Sequence, residues 1–263
     1  MTAERSFDVS IVITSFNHEA FLIEAIESVL SQTVMPREIL IADDGSTDGS
    51  VRTIDAFARR HPGLIVPVIH ENRGIPRNRN SALQRAVGAY VGVLDGDDRF
   101  RPDKLERQRD ALRRAPESVV VYGNFCKFDD DGRTVGLRYS VPQREGDVLF
   151  EIADLNFGVM RTMIAKSDAV RAAGLMDPRL PKYDGLWLSI QLAATGPFAY
   201  VDEVLVEKRV HDGNDSRLNL EQDARDLSTI YDRVKALTAH LPAERRAHLE
   251  DRWRRAINAR RRT

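Results

Sequence analysis

The chain has 263 residues, 42% of them apolar and 30% charged, the profile of a globular protein long enough to bury a substantial core as one large domain or two small ones. Lys+Arg 39 against Asp+Glu 40 leave a net charge of -1, so no global field recruits nucleic acid or an anionic membrane. The lone Cys126 excludes an intrachain disulfide framework, the opening "MTAERSFDVSIVI" has no signal-peptide layout, and no apolar stretch approaches the ~18 residues that span a bilayer, so the expected location is cytoplasmic.

The first hundred residues alternate. "DVSIVITSF" (8–16) is a β-branched run and reads as a buried strand. "HEAFLIEAIESVLSQ" (18–32) follows, with Phe21, Leu22, Ala25, Ile26, Val29 and Leu30 at helical spacing. "EILIADD" (38–44) is a second strand. "GSTDGSVRTIDAFARR" (45–60) brings Ser and Thr capping candidates, an acid in the first turn and arginines in the last, which mark a helix. "LIVPVIH" (64–70) is a third strand, with Pro67 placing it at an edge or a bulge. "PRNRNSALQRAVG" (76–88) is helical and "AYVGVLD" (89–95) is a fourth strand. This rhythm implies parallel pairing through right-handed crossovers, with ligands bound beyond the carboxyl ends of the strands.

Beyond Pro102 an amphipathic helix runs to about Arg114, then a strand "SVVVYGNF" (118–125) and a hairpin-like turn "DDDGRT" (129–134). From about residue 140 the pattern is irregular, apart from a helix in "GLWLSIQLAATG" (185–196) and a strand-like "FAYVDEVLVEKRVH" (198–211). The tail reads as two charged helices broken at Pro242. Asn214-Asp215-Ser216 has the form of a glycosylation sequon, which in a cytosolic chain is incidental.

Two acidic clusters, Asp43-Asp44 and Asp95-Gly96-Asp97-Asp98, fall at strand ends. Carboxylates two apart around a bend that Gly96 permits offer hard oxygen ligands suited to Mg²⁺ or Mn²⁺ beside a substrate diphosphate. The plainer reading of the same triplet is a solvated Asp-Gly turn with a helix-capping acid.

The order of the pieces decides between them. "VSIVITSFN" (9–17), "EILIADDGSTDGS" (38–50), "NRGIPRNRNSAL" (72–83) and "GAYVGVLDGDDRFRPDKL" (88–105) together resemble the family 2 glycosyltransferases with the GT-A fold. Weaker matches continue in family order at "GLMDPRL" (174–180), "YDGLWLSIQLA" (183–193) and "RVHDGNDS" (209–216). The resemblance implies a Rossmann-like, mostly parallel sheet flanked by helices. Residues 1–217 would form the glycosyltransferase domain (1–115 binding the nucleotide sugar, 116–217 the acceptor), with 218–263 as a C-terminal helical tail.

By that carry-over Thr14 and Phe16 contact the nucleotide base, Phe16 by stacking its ring. Asp43 accepts a hydrogen bond from a base N–H, and Asp44 lies beside it. Asp95 faces the ribose or the metal shell, with Gly96 at the bend, and Asp97 is the main metal ligand. Arg79 and Asn80 match an Arg-Asn pair behind the donor, contacting it or serving structure alone. His211 matches a histidine near the metal or diphosphate, and neutral imidazole is a fitting ligand.

The general base matches less well. The family commonly carries Glu-Asp before a helix containing "LWL", whereas this chain has "PKYDGLWLSIQLA". Asp184 is the nearby acid, one residue out of step. It would either deprotonate the acceptor hydroxyl, giving inversion, or cap the helix. Asp177 is the fallback base. A dinucleotide oxidoreductase or a sugar-nucleotide pyrophosphorylase would want a glycine-rich turn after the first strand, and "TSFNHEA" has none.

The resemblance thus implies a metal-dependent, inverting hexosyltransferase that takes a nucleotide sugar, UDP-linked in most of the family, and transfers to a glycan, lipid-linked or small-molecule hydroxyl in surface-polysaccharide or glycoconjugate synthesis. The alternative is a catalytically silent binding module of the same fold. The basic tail around Trp253 reads as a solvated helix, which could pack in a homo-oligomer, or as a helix resting on the inner membrane face.

Overall fold

In the computed structural model, residues 6–129, 131–155, 158–211 and 219–261 are described below. The elements run β1 (Ser6–Ser15), α1 (Glu19–Leu30), β2 (Met35–Asp43), α2 (Ser50–Arg60), β3 (Ile65–Ile69), α3 (Ile75–Leu83), β4 (Tyr90–Asp95), β5 (Arg99–Phe100) and α4 (Lys104–Arg114). They continue with β6 (Val120–Phe128), β7 (Thr134–Leu137), α5 (Leu149–Ala153), β8 (Ile164–Lys166), α6 (Ser167–Ala172), α7 (Asp184–Ala193), β9 (Phe198–Arg209), α8 (Leu220–Leu237) and α9 (Ala243–Arg261). The sequon at residues 214–216 lies outside the described residues.

One sheet has the order β3-β2-β1-β4-β8-β6-β9-β5, with β7 hairpinned onto β6. β1, β2, β3 and β4 are parallel, as alternating strands and helices require. Pro67 indeed sits in an edge strand, where a missing N–H is tolerated. The second half departs from the alternation. β8 runs antiparallel between β4 and β6, and β5 antiparallel on β9, while β9 lies parallel to β6. β5 and β8 are two and three residues long, too short for a period to register.

Alternation along the strands divides the core. Val9, Ile11, Ile13, Ile39 and Ile41 pack against Leu22, Ile26 and Val29 of α1, Ile54 and Phe57 of α2, and Leu105 and Leu112 of α4. Val12, Leu40, Ala42, Val91 and Val93 face the other way, onto Ala82 and Leu83 of α3 and the helices of the second half.

The two C-terminal helices belong to that second layer. Ala224, Leu227, Ile230 and Val234 of α8, with Leu249, Trp253 and Ile257 of α9, join the same core cluster as Trp187 and Leu188. Trp253 is fully buried, donates from Nε1 to the Ala153 carbonyl at 2.7 Å and stacks on Tyr231. The apolar stripe of α9, at spacing four, therefore faces the protein rather than a lipid surface. Among the described residues no helix is long and apolar enough to cross a membrane.

Candidate active site

The carboxyl ends of β1, β2 and β4 lie side by side, Ser15 opposite Asp43 and Thr14 opposite Asp95. The turns beyond them are laced together. Asn17, with φ 55°, donates its N–H to Ser46 Oγ at 2.8 Å, while its own Oδ1 accepts from Thr47 N at 2.9 Å. Asp48 accepts from Glu19 N at 3.0 Å and Glu19 accepts from Gly49 N at 2.8 Å, so α1 and α2 tie off each other's first turns. Serine or threonine N-caps, expected for α2, are replaced by this exchange, with Gly49 at the cap position.

This lacing places the nucleotide-end residues differently from one another. Phe16 is 44% exposed, so its ring is outside the core and available at the site. Thr14 is buried and donates from Oγ1 to Asp95 Oδ1 at 3.3 Å, which turns it toward the acidic turn. Asp43 is completely buried, and its oxygens accept from Ser46 N at 2.8 Å and Ser46 Oγ at 2.6 Å. Asp44 accepts from Arg73 N at 2.8 Å and Gly74 N at 2.9 Å. Both carboxylates shape the turn from inside, where the resemblance implies a direct contact of Asp43 with the base. Gly45, at φ 77°, keeps the turn tight, since a Cβ there would lie 2.8 Å from Asn72 N.

At the end of β4 the chain bends through Gly96, whose missing side chain is required by close approach. A Cβ would fall 2.7 Å from the Thr14 carbonyl and 2.8 Å from His18 Nδ1. Asp95, Asp97 and Asp98 bring carboxylate oxygens within 4.8 Å of one another. Packed like charges need counter-charges, and arginines supply them. Arg79 of α3 donates from Nη2 to Asp95 Oδ1 at 2.9 Å and from Nη1 to Asp184 Oδ2 at 2.9 Å. Arg161 donates from Nη1 to Asp95 Oδ2 at 3.1 Å and also to Asp98 Oδ2. Arg209, at the end of β9, donates its backbone N–H to Asp98 Oδ1 at 3.0 Å and its guanidinium to Glu24. His211 Nε2 stands 3.2 Å from Asp97 Oδ2, its ring against Phe21.

These contacts sort the acids. Burial would raise Asp95, but Arg79 and Arg161 hold it well below the usual carboxylate range. Burial raises Asp184, against the pull of Arg79. Asp184 opens α7 and is buried, with Oδ1 accepting the Gly185 N–H at 2.7 Å, so it serves the helix start and the arginine together. Asp177 is engaged by Arg179 at 2.9 Å and by Arg233 of α8 at 2.8 Å. The Arg179 hydrogen bond outweighs burial and keeps its carboxyl far below the ordinary range, which lowers the basicity of Asp177. Asn80 exchanges two bonds with the Met176 backbone, at 2.9 and 3.0 Å.

Arg161 and Arg209 are the site residues that sequence reasoning missed. A lone arginine inside the apolar "VMRTMIA", and another two residues before His211, were the signals for them.

Comparison with known proteins fits this geometry. Residues 10–167 match the family model described as Glycosyl transferase family 2. Over 205 residues, 77% of this chain and 79% of that one, the sequence is 38% identical to a Bacillus subtilis protein named "Putative teichuronic acid biosynthesis glycosyltransferase TuaG". It is 27% identical to the chondroitin synthase of Escherichia coli over 219 residues, 81% of this chain but 30% of that longer one, so the chain spans about a third of that relative. The crystal structure of Staphylococcus aureus TarS 1-349 in complex with UDP-GlcNAc superposes with a TM-score of 0.73 at 18% identity, covering 95% of this chain and 71% of that one, which establishes the shared fold. The chain has the GT-A fold and belongs to glycosyl transferase family 2.

Proposed function

We propose that the protein transfers a sugar from a UDP-linked donor to a hydroxyl of a growing glycan, with inversion at the anomeric carbon. The observation that carries this reading is the bridge through Arg79, which holds Asp184 and Asp95 on one guanidinium at the carboxyl ends of the strands. In this reading one carboxylate serves the acceptor and the other the donor. The names of TuaG and chondroitin synthase support polysaccharide synthesis, and the UDP-GlcNAc bound by TarS supports a UDP carrier.

In this mechanism Phe16 stacks on the base beside the turn that Asp43 and Asp44 hold. Asp184, its basicity raised by burial, accepts the proton of the acceptor hydroxyl as that oxygen attacks the anomeric carbon from the face opposite the diphosphate. The glycosidic bond forms as the bond to the diphosphate breaks, and the electron pair leaves with the nucleoside diphosphate. The donor set of Asp97 carboxylate and His211 imidazole, with Asp95 and Asp98 adjacent, fits Mg²⁺ or Mn²⁺. Such an ion supplies positive charge to the leaving diphosphate. Arg79 keeps Asp184 oriented throughout.

The acceptor is a glycan or a lipid-linked saccharide. The second half of the chain, with Asp184 at the head of α7, would form its site, and the arginines on the outer side of α9 would give at most electrostatic contact with a membrane, since its apolar stripe is buried.

A panel of nucleotide sugars tests this reading. Metal-dependent hydrolysis of a UDP-sugar in preference to GDP- and dTDP-sugars is expected. A protein that binds UDP with Mn²⁺ yet leaves every donor intact would instead be a binding module of this fold.

A further inference from the structure

Every carboxylate oxygen of Asp95 and Asp98 already accepts a hydrogen bond from the protein. Asp95 Oδ1 takes Arg79 and Thr14, Asp95 Oδ2 takes Arg161, Asp98 Oδ1 takes the Arg209 N–H, and Asp98 Oδ2 takes Arg161. Of these donors only the Arg161 guanidinium bridges the two acids. It is also more exposed than its counterpart, 27% of its side chain against 13% for Arg79. Asp98 beneath it is 1% exposed at the side chain, so its charge has no access to bulk water. A buried carboxylate without partners would be strongly unfavourable, and the Arg161 guanidinium and the Arg209 N–H are those that Asp98 has.

We propose that Arg161 is a resident counter-ion of the acidic turn, whose charge on Asp95 and Asp98 opposes a divalent cation held beside them by Asp97 and His211. The inference rests on the donor-site reading above. With the guanidinium in place, Asp95 and Asp98 both carry an arginine partner, and a free dication meets a turn whose charge is already offset. Metal alone then binds weakly. A diphosphate brings negative charge of its own, which offsets both the dication and the guanidinium, so metal and donor enter together. Arg161 is thus a positioning residue that couples two ligands, and a loss of Arg161 should separate them.

The test is the affinity of the nucleotide-free protein for Mn²⁺ alone, and of the metal-free protein for UDP alone, in the parent and in Arg161→Gln. Removing the opposing charge should tighten Mn²⁺ binding by roughly 5–150-fold, the span of ordinary two-site couplings. It should weaken metal-free UDP binding, because the acidic turn then repels the diphosphate. The opposite directions are the signature, since damage to the fold weakens both. Added Mn²⁺ should also raise the melting temperature of Arg161→Gln more than that of the parent. Unchanged or weaker Mn²⁺ binding in a folded Arg161→Gln protein overturns the role while leaving the donor site standing. A parent that binds neither ligand even when Mn²⁺ and UDP are supplied together overturns the donor site and this role together. If Arg161→Gln does not fold, the parent answers directly. Its Arg161 side-chain NMR resonance, identified by its loss in Arg161→Lys, should move on adding Mg²⁺, and a resonance unmoved at saturating Mg²⁺ overturns the proposal.

Discussion

His211 Nε2 and Asp97 Oδ2 meet at 3.2 Å although 114 positions separate them in the chain. The contact exists because β9 runs beside β6 and delivers its carboxyl end to the turn after β4, where the Arg209 N–H anchors it on Asp98. If the pair holds one ion, its members are not independent. Asp97→Ala should abolish the increase in UDP affinity that Mn²⁺ gives, His211→Ala should reduce it, and adding His211→Ala to Asp97→Ala should change nothing further. Additive losses, measured by titration calorimetry, would assign the two residues to separate tasks.

Phe16 offers a cleaner test, because 44% exposure separates its binding role from the core. Phe16→Ala should weaken UDP binding by ~1–3 kcal/mol, the value of base–aromatic stacking in nucleic-acid proteins. Its unfolding free energy should stay within about 0.5 kcal/mol of the parent, as for surface substitutions generally. Equal affinity for UDP in the two proteins would mean that the ring does not meet the base.

Trp253 stands at the opposite extreme. With no exposure, a bond to Ala153 and a stacked Tyr231, it fastens α9 to the second half of the molecule. Trp253→Ala should destabilise by about 3–5 kcal/mol, the usual range for large-to-small aromatic changes in a core. A change below 1 kcal/mol in urea unfolding, at the scale of surface positions, would show that α9 is a loosely attached tail.

The first half of the molecule was readable because its signals are local. β1, β2 and β4 are continuous apolar runs, and the acids fall immediately after them. The parallel order follows from alternation alone. What the sequence conceals is pairing at long range. Arg79 reads as a donor contact, but its partners lie 16 and 105 positions away, and no pattern links "PRNRN" to "KYDG". The partners of Arg161 are hidden for the same reason, although its place inside the apolar "VMRTMIA" marks the residue itself. Trp253 misleads in a different way. Its arginine-rich neighbourhood looks like a surface helix, yet Leu249, Trp253 and Ile257 recur every fourth residue, and that narrow stripe is enough to bury one face.

Lys104 makes a prediction about pH. Its ammonium is buried beneath Phe100, bonded to Gln108 Oε1 and to the Thr162 carbonyl at 3.2 Å, and burial pushes its pKa down to about 7 from 10.5. Between those two values the unfolded chain holds a proton that the folded protein has released. Stability therefore rises with pH across that window, by at most about 1.4 kcal/mol per unit. Below about pH 7 both states are protonated and the penalty of burying the charge is present in full. Lys104→Met removes that penalty, so its stability relative to the parent should be greatest near pH 6.5 and should shrink toward pH 9.5. The unpartnered Gln108 Oε1 left behind costs the variant the same amount at every pH, so the slope is the measurement rather than the level. Parallel stability profiles in urea would mean that Lys104 stays charged in the fold.

Asp184 is the residue on which the proposed chemistry turns, and its surroundings argue in both directions. Burial raises its basicity, as a proton acceptor needs, but only 3% of the residue is exposed and Arg79 binds both oxygens. Asp184→Asn keeps the size and an oxygen for the Gly185 N–H while removing the proton acceptor. Transfer should fall ~10²–10⁴-fold, the usual worth of general-base assistance, with UDP affinity near parental. Arg79→Lys is the control, because a single ammonium cannot span Asp184 and Asp95 as the planar guanidinium does. It should lower the transfer rate while the pH profile of the remaining activity keeps its acidic limb, since the base itself is intact. In Asp184→Asn that limb should vanish. Near-parental transfer by Asp184→Asn would reduce Asp184 to the anchor of Arg79.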